Sequence, residues 1–103
     1  MNISELKAKT SELILSGIGK SVYTESEIAN AKALYEEVMA SVPQDKVQYI
    51  TPGYTGTIDS KREYIANHWM WKNEDASRQE FMLYSELASS IAHMLDGTLG
   101  LRD

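Results

Sequence analysis

The sequence predicts a mainly α-helical domain, a small bundle of about four helices with a short loop or β-hairpin between the second and third. Apolar residues recur at helical spacing in several segments. Helix-start signatures, in which Asn, Thr or Ser is followed three residues later by Glu, recur along the chain. No repeat or linker interrupts the 103 residues. We therefore expect residues 1–103 to form a single domain with one modest core.

The first helix is predicted over about residues 3–15. Asn2 and Glu5 form its start signature, and two nearby glycines, Gly17 and Gly19, favour a turn after it. The residues expected on its buried side are Ile3, Leu6, Leu13 and Ile14.

The second helix is predicted over about residues 25–41, between the Thr24–Glu27 start signature and Pro43. Its expected buried stripe consists of Ile28, Ala31, Leu34, Tyr35, Val38, Met39 and Val42. Residues 43–59 lack helical periodicity, and the turn signal at Pro52 allows either an ordered loop or a hairpin whose second strand would run to Ile58.

Residues 60–96 read as a central helical hairpin. Ser60 and Glu63 form a start signature for its first helix, in which Trp69 and Trp71 would lie about 160° apart if the helix continued through both. Asn73 or Asp75 is expected to cap the second helix. That helix has the strongest apolar stripe of the chain, made of Phe81, Tyr84, Leu87, Ala88, Ile91, Ala92 and Leu95.

Composition narrows the class of function. The net charge of −5 argues against direct binding to nucleic-acid phosphates, which requires clustered Lys and Arg. The absence of cysteine removes disulfides, thiolate nucleophiles and cysteine zinc sites. No apolar run is long enough for a membrane span, and residues 1–7 lack the pattern of a signal peptide. We expect a cytoplasmic protein that binds neither membrane nor nucleic acid directly.

No residue pattern indicates catalysis, a metal site or a cofactor. Ser89 and Ser90 lie near His93 within a predicted helix but lack the sharp turn of a hydrolase nucleophile. His93 and Asp96 have i, i+3 spacing and His68 lies on the neighbouring helix, but His93 falls on the polar side of its own helix. We expect a non-enzyme.

A protein–protein binding function is the leading hypothesis. Seven of the nine aromatic residues lie between Tyr49 and Tyr84, and Trp, Tyr and Met are enriched at interfaces. A chain of this length is expected to leave Met70, Met82, Leu83 and Met94 only partly covered. The predicted partner-binding residues are Tyr64, His68, Met70, Trp71 and Met82. An inhibitor, an immunity or antidefence factor, or an assembly adaptor would fit, and we expect a homo-oligomer.

The alternative is a binding protein for a nucleotide or cyclic nucleotide. Tyrosines that stack on a base and a helix start that holds phosphate would lie together between residues 49 and 62. The residues of this hypothesis are Tyr49, Tyr54, Thr55, Thr57, Lys61 and Arg62. A third hypothesis, mimicry of nucleic acid by acidic side chains, ranks last because Lys32 interrupts the carboxylates of the second helix.

Overall fold

The computed structural model describes residues 3–45 and 58–96, apart from the side chains of Asp59, Ser60 and Asp96. Within these residues the chain forms four helices and no strand, which confirms the predicted helical bundle. The helices are α1 (Ile3–Ser16), α2 (Glu25–Ala40), α3 (Ile58–Asn67) and α4 (Ala76–Asp96). The predicted loop or hairpin falls mainly on residues 46–57, outside the described part. Ile58, expected at the end of a strand, begins α3 instead.

Helix α4 is the centre of the bundle. It packs against α1, α2 and α3, and no other helix of the described residues packs against all the rest. Because α4 contacts three other helices, its apolar stripe is broader than contact with a single helix would require. Leu83 and Met94 are almost wholly buried by neighbouring helices, so the expectation that this chain would leave them partly covered is wrong.

The core divides into two clusters along α4. Around its carboxyl-terminal half, Leu6 of α1 and Leu34, Val38 and Val42 of the α2 region pack with Ala88, Ile91, Ala92, Met94 and Leu95. Around its amino-terminal half, the second cluster consists of Tyr23, Ala31, Ile65, Phe81, Leu83, Tyr84 and Leu87. Helix α1 therefore runs antiparallel to α4, and α2 runs parallel to it.

Two of the predicted helix starts are formed by the expected caps. The Thr24 hydroxyl accepts the Glu27 N–H, and the Glu27 carboxylate accepts the Thr24 N–H. At the start of α4, Asp75 Oδ2 accepts hydrogen bonds from the Ser77 N–H at 2.9 Å and from the Ser77 hydroxyl. Of the two residues proposed to cap α4, Asp75 is therefore the one that does so.

The predicted third helix was wrong at both of its ends. Helix α3 starts at Ile58, so Ser60 lies inside it. It stops at Asn67, and residues 68–74 form turns. The angular relation derived for Trp69 and Trp71 therefore does not apply, because it assumed a helix that continues through both. Ile14, predicted on the buried side of α1, is 39% exposed. No helix of the described residues is long and apolar enough to cross a membrane.

Candidate protein-binding surface

The connection between α1 and α2 is fastened to the first turn of α4. The Tyr23 N–H donates to the Ser77 hydroxyl oxygen at 2.9 Å, and the Arg78 guanidinium donates to the Lys20 carbonyl. The Tyr23 ring stacks on Phe81 with 4.0 Å between ring centroids. These contacts fix residues 17–24 at the end of the bundle where α4 begins.

The turn between α3 and α4 is held by Gln79, the residue of α4 that follows Arg78. The Gln79 side-chain amide donates to the carbonyls of Trp71 at 2.8 Å and of Glu74 at 3.3 Å. The Trp71 ring packs against the second core cluster. Three consecutive residues, Ser77, Arg78 and Gln79, thus position both connections at one end of the bundle. We call this the open end.

All seven large apolar side chains that are exposed in the described part of the chain belong to the open end. They come from the end of α1 and the connection after it, and from α3 and the turn that follows it. Their exposed fractions range from 39% to 75%. The residues are Ile14, Leu15, Ile18, Val22, Tyr64, Trp69 and Met70. Such a concentration of exposed apolar surface is typical of an interaction site.

The aromatic patch, which we define as Tyr64, His68, Trp69 and Met70, is a row of neighbouring rings with a methionine beside it. The ring centroids of Tyr64 and His68 are 5.0 Å apart, and those of His68 and Trp69 are 5.7 Å apart at an interplanar angle of 27°. The Met70 N–H donates to His68 Nδ1 at 3.1 Å. The neutral His68 ring therefore carries its proton on Nε2, which is a donor for a partner's acceptor.

A cation lies at the edge of this row. The Lys61 ammonium is 5.4 Å from the centroid of the Tyr64 ring, a cation–π distance, and 3.7 Å from Glu86 Oε2. Arg62, its neighbour, donates to the Glu80 carboxylate at 3.0 and 3.3 Å. Both cations proposed to hold phosphate thus contact carboxylates of α4. Tyr49, Tyr54, Thr55 and Thr57 of the same hypothesis lie outside the described residues.

The structure brings three of the five predicted partner-binding residues together. Tyr64, His68 and Met70 lie in the aromatic patch. Trp71 is half-buried against the core, and Met82 lines a groove beside Ile14. Trp69, 75% exposed, was missing from the predicted set because a continuous helix would have placed it beside buried Ile65. The signal that was available is Asn67, a poor helix residue, directly before the two tryptophans.

The two histidines have different surroundings. His93 is exposed, and its Nδ1 is 2.7 Å from the Ser89 carbonyl oxygen, whereas His68 belongs to the aromatic patch. Among the described side chains, no three of His, Asp and Glu come close enough to share a metal ion.

Hydrogen bonding lowers the pKa of two carboxyl groups at the open end. The pKa of Glu27 falls below its ordinary value of 4.5 mainly because the Lys20 ammonium and the Thr24 N–H bind its carboxylate. The pKa of Asp75 falls below 3.8 because the Ser77 hydroxyl and N–H bind its carboxylate. Both groups act as helix caps, so these shifts describe structure rather than proton transfer.

A larger groove of about 400 Å³ lies elsewhere, between α1 and α2. Its lining is mainly polar or small: Lys9, Glu12, Asn30, Ala33 and Glu37, with Leu13 and Leu34 at its apolar side. It contains no ring and no cluster of like charge. The open end is therefore the stronger candidate site.

Comparisons with protein-family models, with curated proteins and with solved structures give no match for this chain. Function is therefore inferred from the chemistry and geometry of the open end.

Proposed function

We propose that this chain is a small non-catalytic binding protein that acts through protein–protein contacts made by the aromatic patch. The observation that carries the proposal is Trp69, which is 75% exposed beside two further side chains, Tyr64 and Met70, that are each more than half exposed. Trp and Tyr are the residue types that dominate binding energy at protein interfaces.

The patch is suited to binding because its backbone is held in place before a partner arrives. Gln79 fixes the carbonyls of Trp71 and Glu74, and the Met70 N–H is bonded to His68. A surface that is already ordered loses less conformational entropy on association. The large rings therefore contribute more of their burial energy to affinity than they would on an unfixed loop.

The chemistry of the patch defines the partner surface. Trp69 and Met70 require an apolar hollow, and His68 Nε2–H requires a hydrogen-bond acceptor at its rim. The Lys61 ammonium at the edge favours a carboxylate or carbonyl nearby. An inhibitor, an immunity or antidefence factor, or an assembly adaptor can act by covering such a surface, and none of these functions needs a catalytic group.

A site-specific photocrosslinker tests the proposal directly. Benzoylphenylalanine in place of Trp69 should crosslink to one partner protein in the cells that produce this chain. The same group in place of Ala40, an exposed residue away from the open end, should not. Equal crosslinking at both positions, or none at position 69, would contradict the proposal.

Once the partner is known, Trp69→Ala should weaken binding about 30-fold, as expected for loss of an interface hot spot worth about 2 kcal/mol. Its free energy of unfolding should change by less than about 0.5 kcal/mol, because the ring is exposed. Trp71→Ala is the matched control. It removes the same ring from a half-buried position, so it should destabilise the fold clearly more than Trp69→Ala does.

A further inference from the structure

We infer that His68 makes the aromatic patch sensitive to pH: its neutral ring holds the turn that carries Trp69 and Met70, and protonation of the ring releases that turn. The inference deepens the proposed function, on which its consequence for partner binding rests. The hydrogen bond concerned lies within the chain, so it can be measured without a partner.

His68 is the centre of hydrogen bonding in the turn after α3. Its N–H donates to the Tyr64 carbonyl at 2.9 Å and closes the last turn of the helix. Its carbonyl accepts the N–H groups of Trp71 at 2.9 Å and of Lys72 at 2.8 Å. Its ring accepts the Met70 N–H on Nδ1 at 3.1 Å. Of these hydrogen bonds, only the last depends on a group that can gain a proton.

The charge of the ring decides whether the Met70 hydrogen bond exists. A neutral imidazole has one acceptor nitrogen, whereas both nitrogens of an imidazolium are donors. A protonated His68 would therefore turn an N–H towards the N–H of Met70, and two donors repel each other. Histidine is the side chain that ordinarily changes its charge between about pH 5 and pH 8. The Met70 hydrogen bond is consequently formed at the alkaline end of this range and broken at the acidic end.

The charged groups of the surrounding elements do not replace this hydrogen bond. Lys61 of α3 and Lys72 of the turn are cations. The carboxylates of the turn and of the side of α4 that packs on α3 are bound to other cations: Glu74 to Arg78, Glu80 to Arg62 and Glu86 to Lys61. Among the side chains that the structure describes, no carboxylate forms an ion pair with His68.

The fold tolerates a charged ring at this position. His68 directly follows α3, and the carbonyl end of a helix interacts favourably with a cation. The rings of Tyr64 and Trp69, with centroids 5.0 and 5.7 Å from that of His68, can also face a cation. Protonation should therefore leave the helix in place and change only the turn.

Loss of the Met70 hydrogen bond lowers the affinity of the aromatic patch. The backbone of Met70 must then be ordered when a partner binds, which costs conformational entropy. A charged ring also loses more hydration than a neutral one when the partner covers it. The Nε2–H donor of His68 is present in both forms, so the partner's acceptor is served at either pH.

Nuclear magnetic resonance of the unbound chain tests the inference. At about pH 8 the ¹⁵N signals should show the ring proton of His68 on Nε2 and that of His93 on Nδ1, which is 2.7 Å from the Ser89 carbonyl oxygen. As His68 gains its second proton, the exchange protection of the Met70 amide should fall about fivefold, as for the loss of one hydrogen bond. A His68 proton on Nδ1 at about pH 8, or a Met70 amide that does not follow the charge of His68, would overturn the inference.

His68→Asn and His93→Asn form a matched pair of variants. The side-chain carbonyl oxygen of asparagine can occupy the position of Nδ1, and it remains an acceptor at every pH tested. His68→Asn should therefore keep the Met70 amide protected from about pH 8 to about pH 5.5, whereas His93→Asn should respond to pH like the unaltered chain. A Met70 response that both variants lose, or that neither loses, would also overturn the inference.

The consequence for binding is measured with the partner that is crosslinked at position 69. Between about pH 8 and about pH 5.5 the dissociation constant of the unaltered chain should rise about fivefold more than that of His68→Asn. Equal rises would refute control of binding by His68. The absence of any partner would instead refute the proposed function, and the measurement on the unbound chain would still decide whether His68 holds the turn.

Discussion

The two ends of α4 have opposite surfaces although one helix builds both. Around its carboxyl-terminal half, which we call the closed end, the described large apolar side chains are covered by α1 and α2. Around its amino-terminal half, the core is richer in aromatic rings, and seven large apolar side chains of α1, α3 and the two connecting segments are exposed. The same periodic pattern is therefore covered at one end and leaves apolar surface exposed at the other.

The difference comes from the connections rather than from the helix. At the open end, Ser77, Arg78 and Gln79 bind the backbone of two connecting segments and hold them over the core. Tyr23 and Trp71 of these segments pack against the core, whereas the other large apolar side chains face outward: Ile18, Val22, Trp69 and Met70. Changes at the closed end should therefore alter folding, and changes on the exposed surface of the open end should alter association.

The largest effect is expected from removing a buried leucine at the closed end. Leu95 is wholly buried, so Leu95→Ala should lower the free energy of unfolding by about 3 kcal/mol through lost burial and a residual cavity. Leu15→Ala makes the same chemical change at a 64% exposed position and should cost less than about 0.5 kcal/mol. Urea unfolding of both variants measures the contrast. Equal losses would show that the two ends do not differ in this way.

A smaller effect is expected where α1 meets the open end. A methyl group at Gly17 would overlap the Tyr23 hydroxyl and lie 3.2 Å from Phe81, so Gly17→Ala should cost about 1–3 kcal/mol. Tyr23→Phe removes the overlapping oxygen. In that background the added cost of Gly17→Ala should be clearly smaller, as a double-mutant cycle of thermal unfolding would measure. If the losses of the two single variants simply add, the Tyr23 hydroxyl is not what makes Gly17→Ala destabilising.

Loosening the aromatic patch without touching its exposed rings should have a modest effect on stability. Gln79→Ala removes two hydrogen bonds to the 68–74 turn, and we expect a loss of about 1 kcal/mol. Partner affinity should also fall, because the turn must then be ordered on binding. Calorimetric titration with the partner measures this. Unchanged affinity would mean that prior order of the turn is unimportant.

The smallest effect on stability is expected from lowering the pH. The folded-state pKa values of Glu27 and Asp75 are lowered, so their contribution to stability is present above the ordinary values of 4.5 and 3.8 and is lost as pH falls through the lowered values. The urea midpoint should decline between about pH 5 and pH 3. Glu27→Gln combined with Asp75→Asn should lower the midpoint at neutral pH and make that decline shallower. An equally steep decline would exclude these caps as a source of it.

The helices were predictable because their signals are local. The Thr24–Glu27 cap and the stripe from Phe81 to Leu95 specify α2 and α4 through spacing alone. Helix α3 was harder to delimit, since the only local signal that it ends at Asn67 is that residue's own weak helix propensity. Its early end is accompanied by a tertiary contact, the hydrogen bond from Gln79 to the Trp71 carbonyl.

The candidate site was predictable only in part, because it too depends on where α3 ends. Tyr64, His68 and Met70 were identified from their residue types. Trp69 is the exposed tryptophan and Trp71 the half-buried one because of the turn after α3, which local spacing does not encode. The exposure of Ile14 was missed because Ile14 continues the apolar periodicity of α1, yet it is 39% exposed. Which part of an apolar stripe remains uncovered is decided by the packing of the whole chain.

We propose that the open end serves association, and native mass spectrometry of protein purified gently from its natural host can detect the associated chain. We predict that the unaltered chain retains a second protein chain. A double variant, Trp69→Asp with Ile18→Asp, should appear as a bare monomer with an unchanged melting temperature. A bare monomer for the unaltered chain, or a variant that loses its fold, would contradict the claim and assign these side chains to stability instead.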